Sequence, residues 1–180
     1  MGRRYIAPSS LVAGIVEMPE LHLRPARPED AERLQAIRVA AFAPVFESFR
    51  SILGEEIYAI AQQRQDEAQG DLLTSLMAPD SGWEVYAAQV GDEIVGFVSV
   101  QFDPQTHVGE IGLNAVDPVH SGKGIGTAMY EFAIARMKRV GMTVATVSTG
   151  GDPSHAPARR AYRKAGFDAE IPSLWMCRKL

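Results

Sequence analysis

The segment Val116-Asp117-Pro118-Val119-His120-Ser121-Gly122-Lys123-Gly124-Ile125-Gly126-Thr127-Ala128-Met129 joins the end of an apolar run to the start of a helix-periodic segment. A strand, a loop and a helix are therefore expected. Glycine lets the backbone approach a ligand closely, and the free N–H groups at a helix start favour anions such as phosphate. The segment predicts an anion site, although a turn that uses glycine only for its geometry would have the same pattern.

Length and composition indicate a globular protein. The chain has 180 residues, of which 46% are hydrophobic and 22% are charged. The formal charge is −4 without a block of like charge, so neither nucleic acid nor a membrane is expected as a partner. The single cysteine, Cys177, excludes an internal disulfide and a cysteine-based zinc site. We expect no metal and a cytoplasmic location.

The chain is expected to begin with a flexible leader over residues 1–20, followed by one domain over residues 21–180. Arg3 and Arg4 precede an apolar stretch, as in a signal sequence, but Pro8 interrupts it and no clear cleavage site follows. A start at Met18 is a second interpretation.

Hydrophobic periodicity predicts an α/β domain with a mixed, mostly antiparallel sheet flanked by helices. A helix that starts at Pro28 is expected to break at Pro44, and the tail to Leu180 is expected to add one or two strands. The other predicted elements are strands at 21–24, 83–90, 93–101, 108–116 and 142–148, the last one buried, and helices at 45–69, 71–77, 125–140 and 156–165, with a joint expected at Gly54.

The glycine loop, residues 117–126, does not fit the common nucleotide motifs. A P-loop needs a lysine followed by Ser or Thr, but Lys123 is followed by Gly124. A dinucleotide motif needs a further glycine at the position of Met129. A nucleotide-binding α/β module is therefore the weaker interpretation.

A different pattern fits better. It consists of Val116-Asp117-Pro118, then Gly122-Lys123-Gly124-Ile125-Gly126, and later Ala158-Arg159-Arg160-Ala161-Tyr162-Arg163-Lys164-Ala165-Gly166-Phe167. Together these segments closely resemble the GNAT superfamily of acyl-CoA-dependent N-acetyltransferases, over about residues 21–180. The resemblance implies a central sheet of six to seven strands with helices on both faces. It also implies direct transfer of an acetyl group from acetyl-CoA to a primary amine in a ternary complex.

The resemblance also implies a cofactor site. Loop amides would hold the pyrophosphate, the pantetheine arm would pair with the fourth strand, and a backbone N–H near Ala115 or Val116 would stabilise the oxyanion. The chain departs from the family at Ser121, where Gln or Arg is usual, and at His155, where Asn is common. The implied cofactor residues are Leu113, Asn114, Ala115, Val116, Ser121, Gly122, Lys123, Gly124, Ile125, Gly126, Thr127, His155, Ala158 and Tyr162.

Two residues are implied to be catalytic. Tyr162 matches the general acid that protonates the departing thiolate, since a phenol with a pKa of about 10 is neutral at pH 7. Glu110 matches a glutamate that deprotonates the amine in some members of the family. A water relay is the alternative base, and His107 and His120 are candidate relays.

The acceptor side is expected in the early helices and in the hairpin formed by the strands at 83–90 and 93–101. Three groups of side chains are candidates there or near the cofactor, although core packing is the simpler interpretation for most of the aromatics and a solvated helix face for the charged groups. They are the acids Glu47, Glu55, Glu56, Asp66 and Glu67, the aromatics Phe42, Phe46, Phe49 and Tyr58, and the basic cluster Arg159, Arg160, Arg163 and Lys164 for the 3′-phosphate. The acceptor class stays open between an amine-bearing small molecule and a peptide, and a homodimer is compatible with the family. A non-catalytic acyl-CoA-binding sensor or interaction module is the alternative function.

Overall fold

A mixed sheet organises residues 20–180, which are the residues that this computed structural model describes. Within them five strands lie in the order β1-β2-β3-β4-β5. β1 to β4 pair antiparallel, and β5 runs parallel to β4. The strands are β1 (Leu21–Pro25), β2 (Trp83–Val90), β3 (Glu93–Asp103), β4 (Val108–Val116) and β5 (Val144–Val147). The predicted mixed, mostly antiparallel sheet is confirmed, and the expected leader lies, apart from Glu20, outside the described residues.

Helices cover both faces of the sheet. α1 and α4 pack on one face, with Leu34 and Leu73 fully buried, and α5 and α6 pack on the other, with Met129 fully buried. The helices are α1 (Ala31–Leu53), α2 (Glu55–Ala61), α3 (Gln63–Glu67), α4 (Gln69–Leu76), α5 (Ile125–Arg139) and α6 (Ala156–Lys164). Every helix within residues 20–180 is too short or too polar to span a bilayer.

A β-bulge in β4 sets the direction of the side chains that follow it. Val98 of β3 pairs with Asn114, whereas Val100 pairs with Ile111, so two β4 residues oppose Ser99 alone. Ile111 and Asn114 therefore both face α5 and α6, although without a bulge they would face opposite sides. A Cβ on Gly112 would overlap the Trp83 ring, so the bulge requires glycine.

β4 and β5 separate beyond the bulge. β5 pairs with Val108–Ile111 of β4, and within the described chain residues 112–116 have no strand partner on that edge. The amide of Asp117 donates to the carbonyl of Val95 on β3. Because N–H groups alternate between the two edges of a strand, the amides of Asn114 and Val116 face the open edge. The sheet thus presents free backbone donors to the space beside β4.

The predicted break at Pro44 is wrong, because α1 continues through it. An internal proline costs a helix a hydrogen bond and about 3 kcal/mol, which buried packing on the same helix can offset. Leu34 and Ile37 provide such packing. The predicted helical segment 45–69 has its expected joint at Gly54, which has a positive φ of 73°, and divides again at Gln62.

Two predictions about the last strands are also wrong. Residues 168–180 form no strand, so the described chain has five strands rather than six or seven. Leu174 and Trp175 of this tail remain 87% and 60% exposed, so no packing draws the segment into the sheet. The strand expected to be buried at 142–148 covers only β5, where Val144 is 53% exposed. β5 lies at the edge of the described sheet, so it has no neighbour to cover its outer side.

Candidate active site

A cavity of about 880 Å³ opens at the separation of β4 and β5. The open half of β4, the glycine loop, the start of α5 and one side of α6 form its walls. α1 and α4 close one end, which we call the α1/α4 end, with Ala41, Phe42, Pro44, Val45, Gln69 and Leu72. All the cofactor residues implied by the sequence line this cavity, except Lys123, and so does Glu110.

The glycine loop contributes backbone donors. Gly122 and Gly124 have φ values of 77° and 82°, a left-handed conformation that glycine adopts without strain. Ala128 makes the first helical hydrogen bond of α5, to the carbonyl of Gly124. Within residues 20–180, the amides of 122–127 donate to no acceptor. These free donors and the positive end of α5 favour a bound anion.

Gly126 lies in the first turn of α5 and lines the cavity. A Cβ there would lie 3.9 Å from the Tyr130 hydroxyl and 3.9 Å from Val116 Cγ2, which are ordinary contacts. The fold therefore has room for a methyl group at Gly126, whereas that methyl group would occupy space at the cavity wall.

An aspartate fixes the start of the loop. The Asp117 carboxylate accepts hydrogen bonds from the Val119 amide at 3.1 Å and from Arg33 at 2.7 Å. Burial alone would raise the pKa of Asp117, but these two partners lower it below its usual value. Lys123 does not line the cavity, and its Nζ lies 3.5 Å from Nδ1 of His120. The ion pair of Arg33 with Asp117 thus anchors the start of the loop to α1.

Tyr162 lies in a buried hydrogen-bond network. Asn114 Nδ2 donates to the Tyr162 hydroxyl at 3.1 Å and to the Gly112 carbonyl at 2.9 Å. The Tyr130 hydroxyl donates to Asn114 Oδ1 at 2.8 Å, and the rings of Tyr130 and Tyr162 lie 4.4 Å apart. Sequence reasoning missed Tyr130; its signal is a hydroxyl-bearing aromatic side chain one helical turn after Gly126.

Both phenols are neutral at pH 7. Burial raises the pKa of Tyr162, and hydrogen bonds with Asn114 and Tyr130 offset this only in part. Burial also raises the pKa of Tyr130. Tyr162 therefore keeps its proton in the resting protein and has one to donate.

Glu110 lies on β4 just before the bulge. Its neighbour Ile111 faces α5, so the Glu110 side chain faces the α1 and α4 side of the sheet. The side chain is exposed and lines the cavity. No hydrogen bond or ion pair with residues 20–180 occupies its carboxylate. The group is thus free to accept a proton or to bind a cation.

His155 lies at the rim of the cavity and is held by several contacts. Its Nδ1 is hydrogen-bonded to the Asp152 carboxylate, and its ring stacks on Phe49 of α1 with centroids 5.9 Å apart. Ser48 also donates to Asp152, at 3.1 Å. Although burial alone would raise the pKa of Asp152, hydrogen bonds from Ser154 and His155 lower it. The carboxylate therefore fixes the histidine ring in one orientation.

The basic cluster on α6 divides into two pairs. Arg159 donates to the backbone carbonyls of Gly150 and Asp152 and holds the loop before α6. Arg163 forms a two-bond ion pair with Glu170. Arg160 and Lys164 line the cavity instead. These two cations remain for an anionic group on a ligand.

Most of the acceptor candidates lie elsewhere. Phe42 lines the main cavity, whereas five of the others line a separate cavity of about 470 Å³ formed by α1, α2 and α3: Phe46, Tyr58, Glu47, Asp66 and Glu67. Glu55 pairs with Arg50, and Glu56 pairs with Lys179. The acidic stretch therefore does not contribute to the walls of the main cavity in the described chain.

Of the two candidate proton relays, His120 lines the main cavity, whereas His107 contacts the Gly141 carbonyl.

Comparison with known proteins adds the family context. The sequence profile of the acetyltransferase (GNAT) family matches residues 46–167. A mycothiol acetyltransferase from Sanguibacter keddieii is 36% identical over 117 residues, which cover 61% of this chain and 36% of that protein. The chain thus spans little more than a third of the length of this relative.

Solved structures share the fold. A GNAT-family acetyltransferase structure from Desulfovibrio desulfuricans superposes with a TM-score of 0.64 at 20% identity, covering 84% of this chain and 87% of that one. A GNAT-family acetyltransferase from Brucella melitensis in complex with acetyl-CoA has a TM-score of 0.55 at 22% identity, covering 84% of each chain. At these identities the likeness is one of fold.

Proposed function

The chain belongs to the acetyltransferase (GNAT) family, and from this premise we propose that it transfers the acetyl group of acetyl-CoA to a primary amine. The observation that carries the proposal is one continuous cavity. It brings together the free amides of the glycine loop, the open edge of β4 and the Tyr162 hydroxyl. A phosphate-bearing donor with a long flexible arm fits these three features.

The residues around the cavity fit acetyl-CoA. We assign the pyrophosphate to the free amides of residues 122–127 and the 3′-phosphate to Arg160 and Lys164. The open edge of β4 offers hydrogen-bond partners to the amides of the pantetheine arm, as an added strand would use them. Acetyl-CoA supplies an activated acyl carbonyl. At Ser121 we assign the backbone to the cofactor, because the serine side chain is shorter than the Gln or Arg that is usual at this position.

The groups available support direct transfer. The amides of Asn114 and Val116 face the open edge of β4, so one of them is placed to stabilise negative charge on the carbonyl oxygen. Tyr162 donates its proton to the departing thiolate. The amine nitrogen attacks the carbonyl itself, and no nucleophilic side chain of the protein takes part.

The amine must lose a proton before it attacks. An alkyl ammonium with a pKa of about 10.4 is neutral in only about one molecule in 2,500 at pH 7. We propose Glu110 as the group that accepts this proton, because its carboxylate lines the cavity and carries no ion pair in the described chain. A water relay through His120 is the alternative, since His120 lines the same cavity.

The amine-transfer proposal is tested with acetyl-CoA and a panel of amines, with free thiol as the readout and product mass as confirmation. We expect thiol release that depends on the amine, and initial-rate lines that intersect, as a ternary complex requires. Tight binding of CoA without thiol release for any amine would favour the alternative, a non-catalytic acyl-CoA-binding module. Binding of NAD or ATP in place of CoA would exclude both.

A further inference from the structure

We propose that the acceptor is a monoamine with an apolar body, rather than a polyamine or another polycation. This inference rests on the proposed function and concerns the α1/α4 end of the cavity. The walls of that end are almost entirely apolar, with Phe42, Pro44, Val45 and Leu72, and Gln69 is its one neutral polar side chain. An acceptor that fills this end buries its carbon skeleton against these side chains.

Charge within the cavity supports one ammonium group only. Among the described residues, Glu110 is the single carboxylate in the cavity wall. The wall residues that can carry a positive charge are Arg160, Lys164, His120 and His155, and the phenols Tyr130 and Tyr162 are neutral at pH 7. One amine therefore finds one anionic partner, and a second ammonium group finds none.

The acids that could have attracted a polycation are already engaged elsewhere. Tyr58 and Gln62 donate hydrogen bonds of 2.8 Å each to Asp66, which lies in the second cavity. Glu55 and Glu56 form ion pairs with Arg50 and Lys179. The acidic appearance of the segment 47–67 therefore does not extend into the acceptor end.

The cost of a second charge decides the specificity. A cation moved from water to an apolar wall without a partner loses hydration that nothing replaces. A methylene group moved to the same wall gains about fourfold in binding. The two effects act in opposite directions on a diamine and on an alkylamine of the same length.

The test compares hexylamine with 1,6-diaminohexane, which have the same chain and differ by one ammonium group. We expect kcat/KM to be at least about tenfold higher for hexylamine, the factor that about 1.4 kcal/mol represents. Butylamine should fall below hexylamine, because it buries two fewer methylene groups.

Two variants localise the effect. Leu72→Glu places a second carboxylate in the α1/α4 end, at a position that is 41% exposed and tolerates a charge. It should raise kcat/KM for 1,6-diaminohexane and lower it for hexylamine. Ile60→Glu adds the same charge on α2 at a position that is 79% exposed and outside the cavity wall. This control should leave the ratio of the two substrates unchanged.

Each outcome bears on the proposal. A preference of the unsubstituted protein for 1,6-diaminohexane or spermidine would overturn the monoamine inference while leaving amine acetylation intact. An equal effect of Leu72→Glu and Ile60→Glu would show that overall charge, and not the α1/α4 end, sets the preference, and would also overturn it. Thiol release with no amine at all would remove the proposed function, and this inference with it.

Discussion

The side-chain amide of Asn114 donates a hydrogen bond of 3.1 Å to the hydroxyl of Tyr162 and so joins β4 to α6 at the wall of the cavity. The contact depends on the β4 bulge, which turns Asn114 toward the helices. It fixes the phenol beside the open strand edge that we assign to the acyl donor. The position of the proposed acid is therefore set by the backbone irregularity of a strand, as well as by the helix that carries it.

Tyr162→Phe should lower kcat by about 10²- to 10⁴-fold, the usual contribution of a general acid. CoA affinity should change little, because the ring and its packing remain; calorimetry measures this. Since burial raises the pKa of Tyr162, the acid form should persist, and kcat should not fall on this account below about pH 10. Unchanged turnover with a good substrate would remove Tyr162 from the mechanism.

Gly126→Ala should weaken CoA binding far more than Ser121→Ala does. The added methyl group has ordinary contacts of 3.9 Å within the protein, so the variant should fold, yet it occupies the wall where the pyrophosphate is assigned. Alanine is also the better helix former, by up to about 1 kcal/mol. Calorimetry with CoA gives the affinities, and thermal unfolding checks the fold. The reverse order of the two effects would contradict binding through backbone amides.

Substitution of both Arg160 and Lys164 by Met should reduce the preference for CoA over dephospho-CoA, because these are the α6 cations that line the cavity. Arg163→Met is the matched control, since Arg163 is paired with Glu170. The ratio of the two dissociation constants is the measurement. An equal loss of preference in the control would place the 3′-phosphate elsewhere.

Asp30→Asn should destabilise the protein at pH 7, and the difference from the unsubstituted protein should shrink as the pH falls toward 3. The hydrogen bonds from Arg24 lower the pKa of Asp30 below its unfolded value of about 3.9, although burial opposes them. The stabilisation is therefore present above that value and is lost as the pH falls through the folded pKa.

The expected size of this effect at pH 7 is about 1.5–3 kcal/mol in the free energy of unfolding, as for hydrogen bonds to charged groups. Urea unfolding at several pH values measures it. Glu29→Gln is the control, because its ion pair with Arg27 is 3.8 Å long and its side chain is 68% exposed. A pH-independent difference for Asp30→Asn would refute the assignment of the pKa.

Local sequence signals predicted β2, β3, β4 and α5, because turn residues delimit each of them. The bulge could not be predicted from the sequence. Gly112 resembles any other glycine in a strand, and only the Trp83 ring on β2 leaves no room for a side chain there. The role of Tyr130 could not be predicted for the same reason. Tyr130 contacts Asn114, and the bulge determines which side of the sheet Asn114 faces. The helix break predicted at Pro44 was wrong because the local cost of a proline in a helix does not include the packing of α1 against the sheet.

In the C-terminal tail, a local sequence signal predicted a strand that the structure does not form. Its residues have strand-like composition, but a strand needs a partner edge and a covering layer, and residues 168–180 pack into neither. The basic cluster on α6 was also ambiguous in sequence. Only the positions of Glu170 and of the loop carbonyls separate Arg159 and Arg163 from the two cations that line the cavity.

Mass spectrometry of a mixture of the protein, acetyl-CoA and hexylamine, with free thiol measured in parallel, tests most directly whether this cavity moves an acetyl group from acetyl-CoA to an amine nitrogen. We expect N-acetylhexylamine and free CoA in equal amounts, with the mass of the protein unchanged. Acetyl-CoA that binds but stays intact with hexylamine and with every other amine of the panel would contradict this expectation.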